Sequence, residues 1–471
     1  MRADLMALLP EALLFLGGML TLVGGSFTPR TRQWRMSLVA AAATVASLVA
    51  SLVAWTGGPR AAFSDTFTVD TSTGAARVTM TVSLLLILLI ASGEVRDHPR
   101  ESETYSLLLF GGAGTLLLAG STDLAVLVVA FLLSSIPLYG LVGIMARPGS
   151  PEAALKTYLF GALFGILLML GAVLLYGLAG RAGYSSLAAE LPDAPTAAVA
   201  TGGVLVLMGL LFKAGAVPGH FWVPDATQGA SVSAAAFLTT VPKIGALVAI
   251  IRLVAVLPGE LRWATVLGIL AVASMTIGNL AALAQDDVRR LLGWSTVSQV
   301  GYLLAAAAVT PLSDQGQPAL LFFLAGYALT NLAAFAVSAA APERRSLEGW
   351  AGFASARPGL SAALVVALLG LVGTPPTAVF IGKLTTMGAT WDAGLAWLAV
   401  AIALNTVVSL FYYLRWIRAA LRPAAQRGEE AGTGTGTDGT GGRGAPTAAL
   451  VAAFATVVMG LTAGPLWLVL A

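Results

Sequence analysis

The chain has 471 residues, 57% of them hydrophobic and only 10% charged, with 53 Gly, 2 His and no Cys. A water-soluble globular enzyme carries about 25% charged residues, so this composition excludes one. Without a thiolate the chain can hold no iron–sulfur cluster through Cys and no disulfide, two His offer little to a haem, and the net charge of +3 comes from Arg in the connections.

Apolar runs follow one another near residues 8–27, 36–55, 78–93, 105–120, 124–146, 155–179 and 198–224. Seven more lie near 231–254, 263–284, 291–309, 319–340, 360–384, 395–416 and 447–470. In hydrocarbon every backbone polar group must be bonded internally, and these runs lack the alternation of barrel strands. The sequence therefore predicts an all-α polytopic membrane protein of about fourteen transmembrane helices; at about 20 residues each they take roughly 280 residues. Only Arg2 precedes the first run and the acidic Asp4 and Glu11 accompany it, which argues against a cleavable leader.

Basic residues fix the expected orientation. With the N-terminus outside, 17 fall on the inner side, among them Arg96, Arg147, Lys156, Arg290 and Arg345. Six fall outside, namely Arg2, Arg60, Arg77, Arg181, Arg252 and Arg262. That asymmetry predicts a multi-pass protein of the cell's inner (plasma) membrane with both termini outward. Trp55, Trp263, Trp294 and Trp416 sit near span ends, as interfacial anchors do. Residues 423–446 are a Gly/Thr-rich stretch expected to be a flexible inner loop. Its GxGxxG match at Gly434, Gly436 and Gly439 has no strand before it and no amphipathic helix after it, so it is not read as a dinucleotide site.

The informative residues are lysines. Against 22 Arg there are 4 Lys, and Lys213, Lys243 and Lys383 all lie within apolar runs. A lysine at the membrane centre costs about 2.5–3.5 kcal/mol on insertion scales, so three uncompensated ones cost roughly 8–10 kcal/mol. An amine taken out of water can give up its proton, whereas a guanidinium stays charged. Spaced amines joined by water and polar side chains could thus form a proton relay; the alternative is snorkelling or pairing with a hidden carboxylate. Gly215, Pro218, Gly219 and Pro224 follow Lys213, and Gly373, Pro375 and Pro376 precede Lys383. Interrupted helices at corresponding places in two halves point to an ion pathway.

The stretch from Lys213 through Pro218, His220, Trp222, Pro224, Asp225 and Gly229 to Phe237 and Lys243 resembles the antiporter-like membrane subunits of respiratory complex I. EAALKTYLFGA (152–162), DDVRRLLGWSTVSQVGYLL (286–304), TPPTAVFIGK (374–383) and FYYLR (411–415) extend the resemblance to roughly residues 105–416. It implies two inverted five-helix repeats, with helices 7 and 12 broken, and a proton relay of Lys213, Lys243 and Lys383 with Lys156 and His220 beside it. The implied organisation is a three-helix segment at 1–104, a first repeat at 105–254, a second at 255–422, the loop at 423–446 and a last helix at 447–471. Among related subunits the N type fits best, since the M type usually has Glu where Lys383 stands. The resemblance implies partners in other membrane subunits of an NADH:quinone oxidoreductase, with NAD, FMN, quinone and iron–sulfur clusters held there and no cofactor or nucleic acid bound by this chain.

Three positions depart from the family pattern. Leu132 stands where a helix-5 Glu is expected, five residues before Pro137, so the Glu–Lys213 pair is missing. Gln299 stands where relatives often have His, and Gln228 where they often have Glu. Ser134 and Ser135 could hold water but supply no charge. A cation/proton antiporter of the Mrp type and a divergent, non-pumping structural paralogue therefore stay open. Lys156 with Glu152 reads equally as an interfacial ion pair, Asp123 and Asp225 as caps or loop contacts, and Asp286, Asp287, Arg289 and Arg290 as a charged inner loop that is solvated or touches a partner. Gly161 and Gly165 read as helix packing, and His98 and His220 are too separated for a metal site.

Overall fold

The computed structural model describes residues 2–423 and 442–470; most of the Gly/Thr-rich segment, with its GxGxxG, lies outside the described residues. The first helices are α1 (Arg2–Ala7), α2 (Leu9–Phe27), α3 (Arg35–Thr56), α4 (Thr71–Glu94), α5 (Glu101–Gly120), α6 (Leu124–Gly143) and α7 (Ser150–Ala179). Then come α8 (Tyr184–Glu190), α9 (Thr196–Ala214), α10 (Trp222–Gly229), α11 (Val232–Val256), α12 (Trp263–Leu283), α13 (Val288–Ala308) and α14 (Gly316–Ala340). The chain closes with α15 (Phe353–Ala356), α16 (Pro358–Val372), α17 (Ala378–Asp392), α18 (Ala396–Leu421), α19 (Gly444–Leu461) and α20 (Ala463–Leu470). Twelve helices among the described residues are long and apolar enough to cross a membrane.

The apolar runs became helices because only a helix satisfies its own backbone in hydrocarbon. Helix starts are marked by side-chain caps: Asp70 on α4, Asp123 on α6, Ser231 on α11 and Asp287 on α13 each accept from a first-turn N–H. The bundle is layered. Helix α11 is buried without a break from Val232 to Ile251 and α13 and α14 nearly throughout, while α2, α3, α7, α18 and α19 form the apolar periphery. Helices α12 and α13 pack so closely that a Cβ on Gly301 would sit 2.6 Å from the Met275 nitrogen.

The two runs expected to hold interrupted helices are each split. Helix α9 ends at Ala214 and α10 starts only at Trp222; α16 ends at Val372 and α17 starts at Ala378. Each first half stops on a left-handed glycine, Gly215 at φ +80° and Gly373 at φ +90°, with prolines following. Glycine tolerates that conformation and proline cannot continue the helix, so the local sequence sets both breaks. The last run also divides, at Thr462, into α19 and α20.

Four expectations need correction. Arg77 is not in a connection: α4 starts at Thr71, and Arg77 is fully buried with its Nε and Nη2 each 2.8 Å from Glu11. Trp263 and Trp416 are packed inside the protein rather than exposed as anchors, Trp416 lying 5.2 Å from the Trp350 ring. The connection between α3 and α4 contains an unanticipated antiparallel hairpin, β1 (Arg60–Ala62) with β2 (Phe67–Val69). In the 286–290 segment only Asp286 is solvated; Asp287 caps α13, Arg289 is buried and Arg290 is tied to Asp225.

Candidate functional site

Lys213 and Lys243 are 0% exposed and Lys383 is 4% exposed. Among the described residues no carboxylate lies within 4 Å of any of their amines. Each amine is instead held by neutral oxygen and an aromatic face, and in each case a helix irregularity lies beside it.

Lys213 occupies the last turn of α9 before the break. Its Nζ donates to Ser135 Oγ at 2.8 Å and lies 5.6 Å from the Phe131 ring. Ser135 follows Leu132 by one turn of α6, so the hydroxyl stands on the face where the family carboxylate was expected. Lys243 owes its partner to the residue before it. Pro242 has no N–H, which frees the Leu238 carbonyl within α11, and Lys243 Nζ donates to that oxygen at 3.1 Å. The Trp222 ring is 5.7 Å away. Lys383 lies on α17 and reaches back across the second break. Its Nζ donates to Val372 O at 2.9 Å and Leu371 O at 3.3 Å, carbonyls left open where α16 stops, and lies 4.0 Å from the Tyr302 ring. A cation there also faces the negative end of the α16 dipole.

Neutral side chains form two hydrogen-bonded groups, one beside Lys243 and one at Lys383. Within one turn of Lys243, Thr239 and Thr240 accept from Asn331 Nδ2, each at 3.0 Å, and Tyr327 donates to Thr239 O at 2.8 Å. Tyr327 lies 3.3 Å from Thr296 Oγ1. One turn along α13, Gln299 donates to Leu371 O at 2.7 Å, the same carbonyl that Lys383 approaches. Gln299 also approaches Tyr413 at 3.5 Å, and Tyr413 and Ser295 hydroxyls are 2.5 Å apart. Sequence reasoning singled out Gln299 as a departure but missed Thr239, Thr296, Tyr327 and Asn331. Their signal was present, as buried hydroxyl and amide residues spaced by helical turns in otherwise apolar runs.

The other two expected relay residues stand apart from these groups. Lys156 lies 2.7 Å from Glu152 and 3.0 Å from Asp225, whose other oxygen lies 2.5 Å from Arg290. Asp225 is thus a bridge that ties α10 to α7 and α13, rather than a cap. His220 is buried in the first break beside Phe221 and Trp294, and its Nδ1 has no partner among the described residues. Gly161 does pack closely, against Tyr139. Among the described residues no group of three or more His, Asp or Glu could hold a metal.

Residues 121–409 match the family described as NADH:quinone oxidoreductase/Mrp antiporter, transmembrane. The chain belongs to this family. It is 55% identical to NADH-quinone oxidoreductase subunit N of Mycobacterium sp. (strain JLS), over 99% of this chain and 98% of that one. It is 49% identical to subunit N 1 of Streptomyces griseus over 90% of each. Among solved structures it is similar to a chain of respiratory complex I from Thermus thermophilus with bound aureothin, at 30% identity, TM-score 0.81, and coverage of 97% and 98%. A chain of the Mrp complex from a Dietzia species shares the fold at 23% identity, TM-score 0.83, and coverage of 99% and 96%. In this NADH:quinone oxidoreductase/Mrp family, α4, with Glu94, lies outside the matched residues, whereas all four lysines lie within them.

Proposed function

We propose that this chain is a proton-translocating membrane subunit of an NADH:quinone oxidoreductase, carrying protons through Lys213, Lys243 and Lys383 while quinone is reduced in partner subunits. NAD, FMN, quinone and iron–sulfur clusters belong to those partners. In this reading the chain crosses the plasma membrane about fourteen times with both termini outward. Residues 105–254 and 255–422 form the two inverted five-helix repeats, each with one broken helix. The observation that carries the proposal is the three buried amines without a carboxylate within 4 Å among the described residues, each held by neutral oxygen and an aromatic ring. Charge there is costly in hydrocarbon, so a change of charge at a neighbouring subunit shifts where a proton resides. Lys156 and His220 flank the relay, Lys156 where the ion pairs meet water and His220 inside the first break.

The hydroxyl of Ser135 in place of a carboxylate favours a second reading, a scaffold subunit that assembles without pumping. Replacing Lys213 or Lys383 by Met in the assembled enzyme separates the two. The relay requires proton uptake into vesicles to fall away while assembly and quinone reduction persist. Uptake at the unmodified ratio would leave the scaffold reading standing. Sodium-dependent proton flux by the chain without quinone reductase partners would favour a cation antiporter instead.

A further inference from the structure

Helix α11 carries Lys243 at its middle and is held at both ends by one other helix, α4. The first turn of a helix has N–H groups without intrahelical acceptors. At the start of α11, two of these are satisfied from outside: Val232 N and Ser233 N donate to the two carboxylate oxygens of Glu94, each at 2.8 Å. Ser231 Oγ takes the third, from Ala234 N, at 3.2 Å. Glu94 is the last residue of α4, the end of a helix where a carboxylate is disfavoured by its own dipole. Its placement makes sense only for α11, whose positive end it meets, and Arg147 at 3.1 Å holds the carboxylate in place. At the far end of the same two helices, Arg252 of α11 reaches Asp70, the cap of α4, at 2.7 Å. Arg252 also donates to Thr73 Oγ1 at 2.9 Å and to Ala119 O at 2.8 Å.

Between these two fastenings α11 has one weak point. Pro242 removes a backbone hydrogen bond in mid-helix, and helices bend where such a bond is missing. With both ends tied to α4, bending of α11 is confined to the turn that bears Lys243 and the Leu238 carbonyl it holds.

We propose that α4 is a strut for α11, and that Glu94 at one end and the Asp70–Arg252 pair at the other are positioning residues for Lys243. The proposal rests on the relay reading and extends the machinery to a helix outside the matched family segment. The test uses the assembled enzyme in membrane vesicles, with assembly, quinone reduction and protons moved per quinone reduced measured together. Glu94→Ala should assemble and reduce quinone yet lose most of its proton movement. Glu94→Gln, whose amide oxygen still accepts one N–H, should recover part of it, and Arg252→Met should lower the ratio as Glu94→Ala does. A wild-type ratio in assembled Glu94→Ala and Arg252→Met would overturn the proposal. If Glu94→Ala does not assemble, Glu94→Gln and Arg252→Lys decide it, a wild-type ratio in both again overturning it. Lys243→Met run alongside keeps the two ideas apart: normal pumping there sinks the relay, whereas a silent Lys243→Met beside a normally pumping Glu94→Ala sinks only the strut.

Discussion

The ion pair between Glu11 of α2 and Arg77 of α4 offers a sharp test of how this bundle tolerates charge. Two bonds of 2.8 Å join the carboxylate to Nε and Nη2, and Nη2 also donates to Ala7 O at 2.7 Å. The side chains are 3% and 0% exposed, so neither charge has water to fall back on. Removing one partner leaves the other buried and uncompensated, a loss of about 3–5 kcal/mol, whereas replacing both by apolar residues of similar size ranges from neutral to stabilising. Glu11→Leu and Arg77→Leu should each destabilise the purified chain by about 3–5 kcal/mol on unfolding in mixed micelles, and the double replacement by less than either alone. Single replacements that are nearly neutral, or a double replacement equal to the sum of the singles, would refute the reasoning.

Two further predictions follow from other contacts. Leu132 lies one turn before Ser135 on α6, so Leu132→Glu should bring a carboxylate to the Lys213 amine; its infrared band should change when Lys213→Met is added, and a band indifferent to that change would contradict the placement. At Asp70 burial pushes the carboxyl up, but Arg252 and the Thr73 hydrogen bonds outweigh it and hold the group below its ordinary value of 3.8. With the folded value depressed, the stabilisation is complete above the unfolded value and is lost as pH falls through the folded one. The stability difference between the wild type and Asp70→Asn should therefore be constant above about pH 5 and shrink below pH 4, and a difference that persists at the most acidic pH would contradict it.

Much of this was legible in the sequence because hydrocarbon imposes a single backbone solution. The runs at 36–55 and 124–146 became α3 and α6 with only small shifts of boundary. The breaks after Lys213 and before Lys383 were equally legible, since Gly215, Pro218, Gly373, Pro375 and Pro376 act locally. Contacts between distant helices were not. Arg77 read as a connection residue because its charge hid the true start of α4, and nothing local tells a buried Arg from an exposed one until Glu11, 66 residues away, is placed beside it. Nothing local marks Glu94 either, since its acceptors serve a helix 138 residues on. Asp225 read as a local contact for the same reason, its partners Lys156 and Arg290 lying on two other helices. The Leu238 carbonyl could have been inferred, because a proline four residues later leaves it free.

The central claim is that buried amines in this chain change charge as protons pass, and the chain's scarcity of lysine makes that directly observable. With 4 Lys in 471 residues, nitrogen-15 labelling of lysine in lipid nanodiscs gives four side-chain resonances, assignable by single substitution. The account predicts that at least one of Lys213, Lys243 and Lys383 exchanges between ammonium and amine forms as pH or transmembrane potential is varied, while Lys156, paired with Glu152 and Asp225, stays cationic. Three central resonances fixed in the ammonium form under every condition would contradict it.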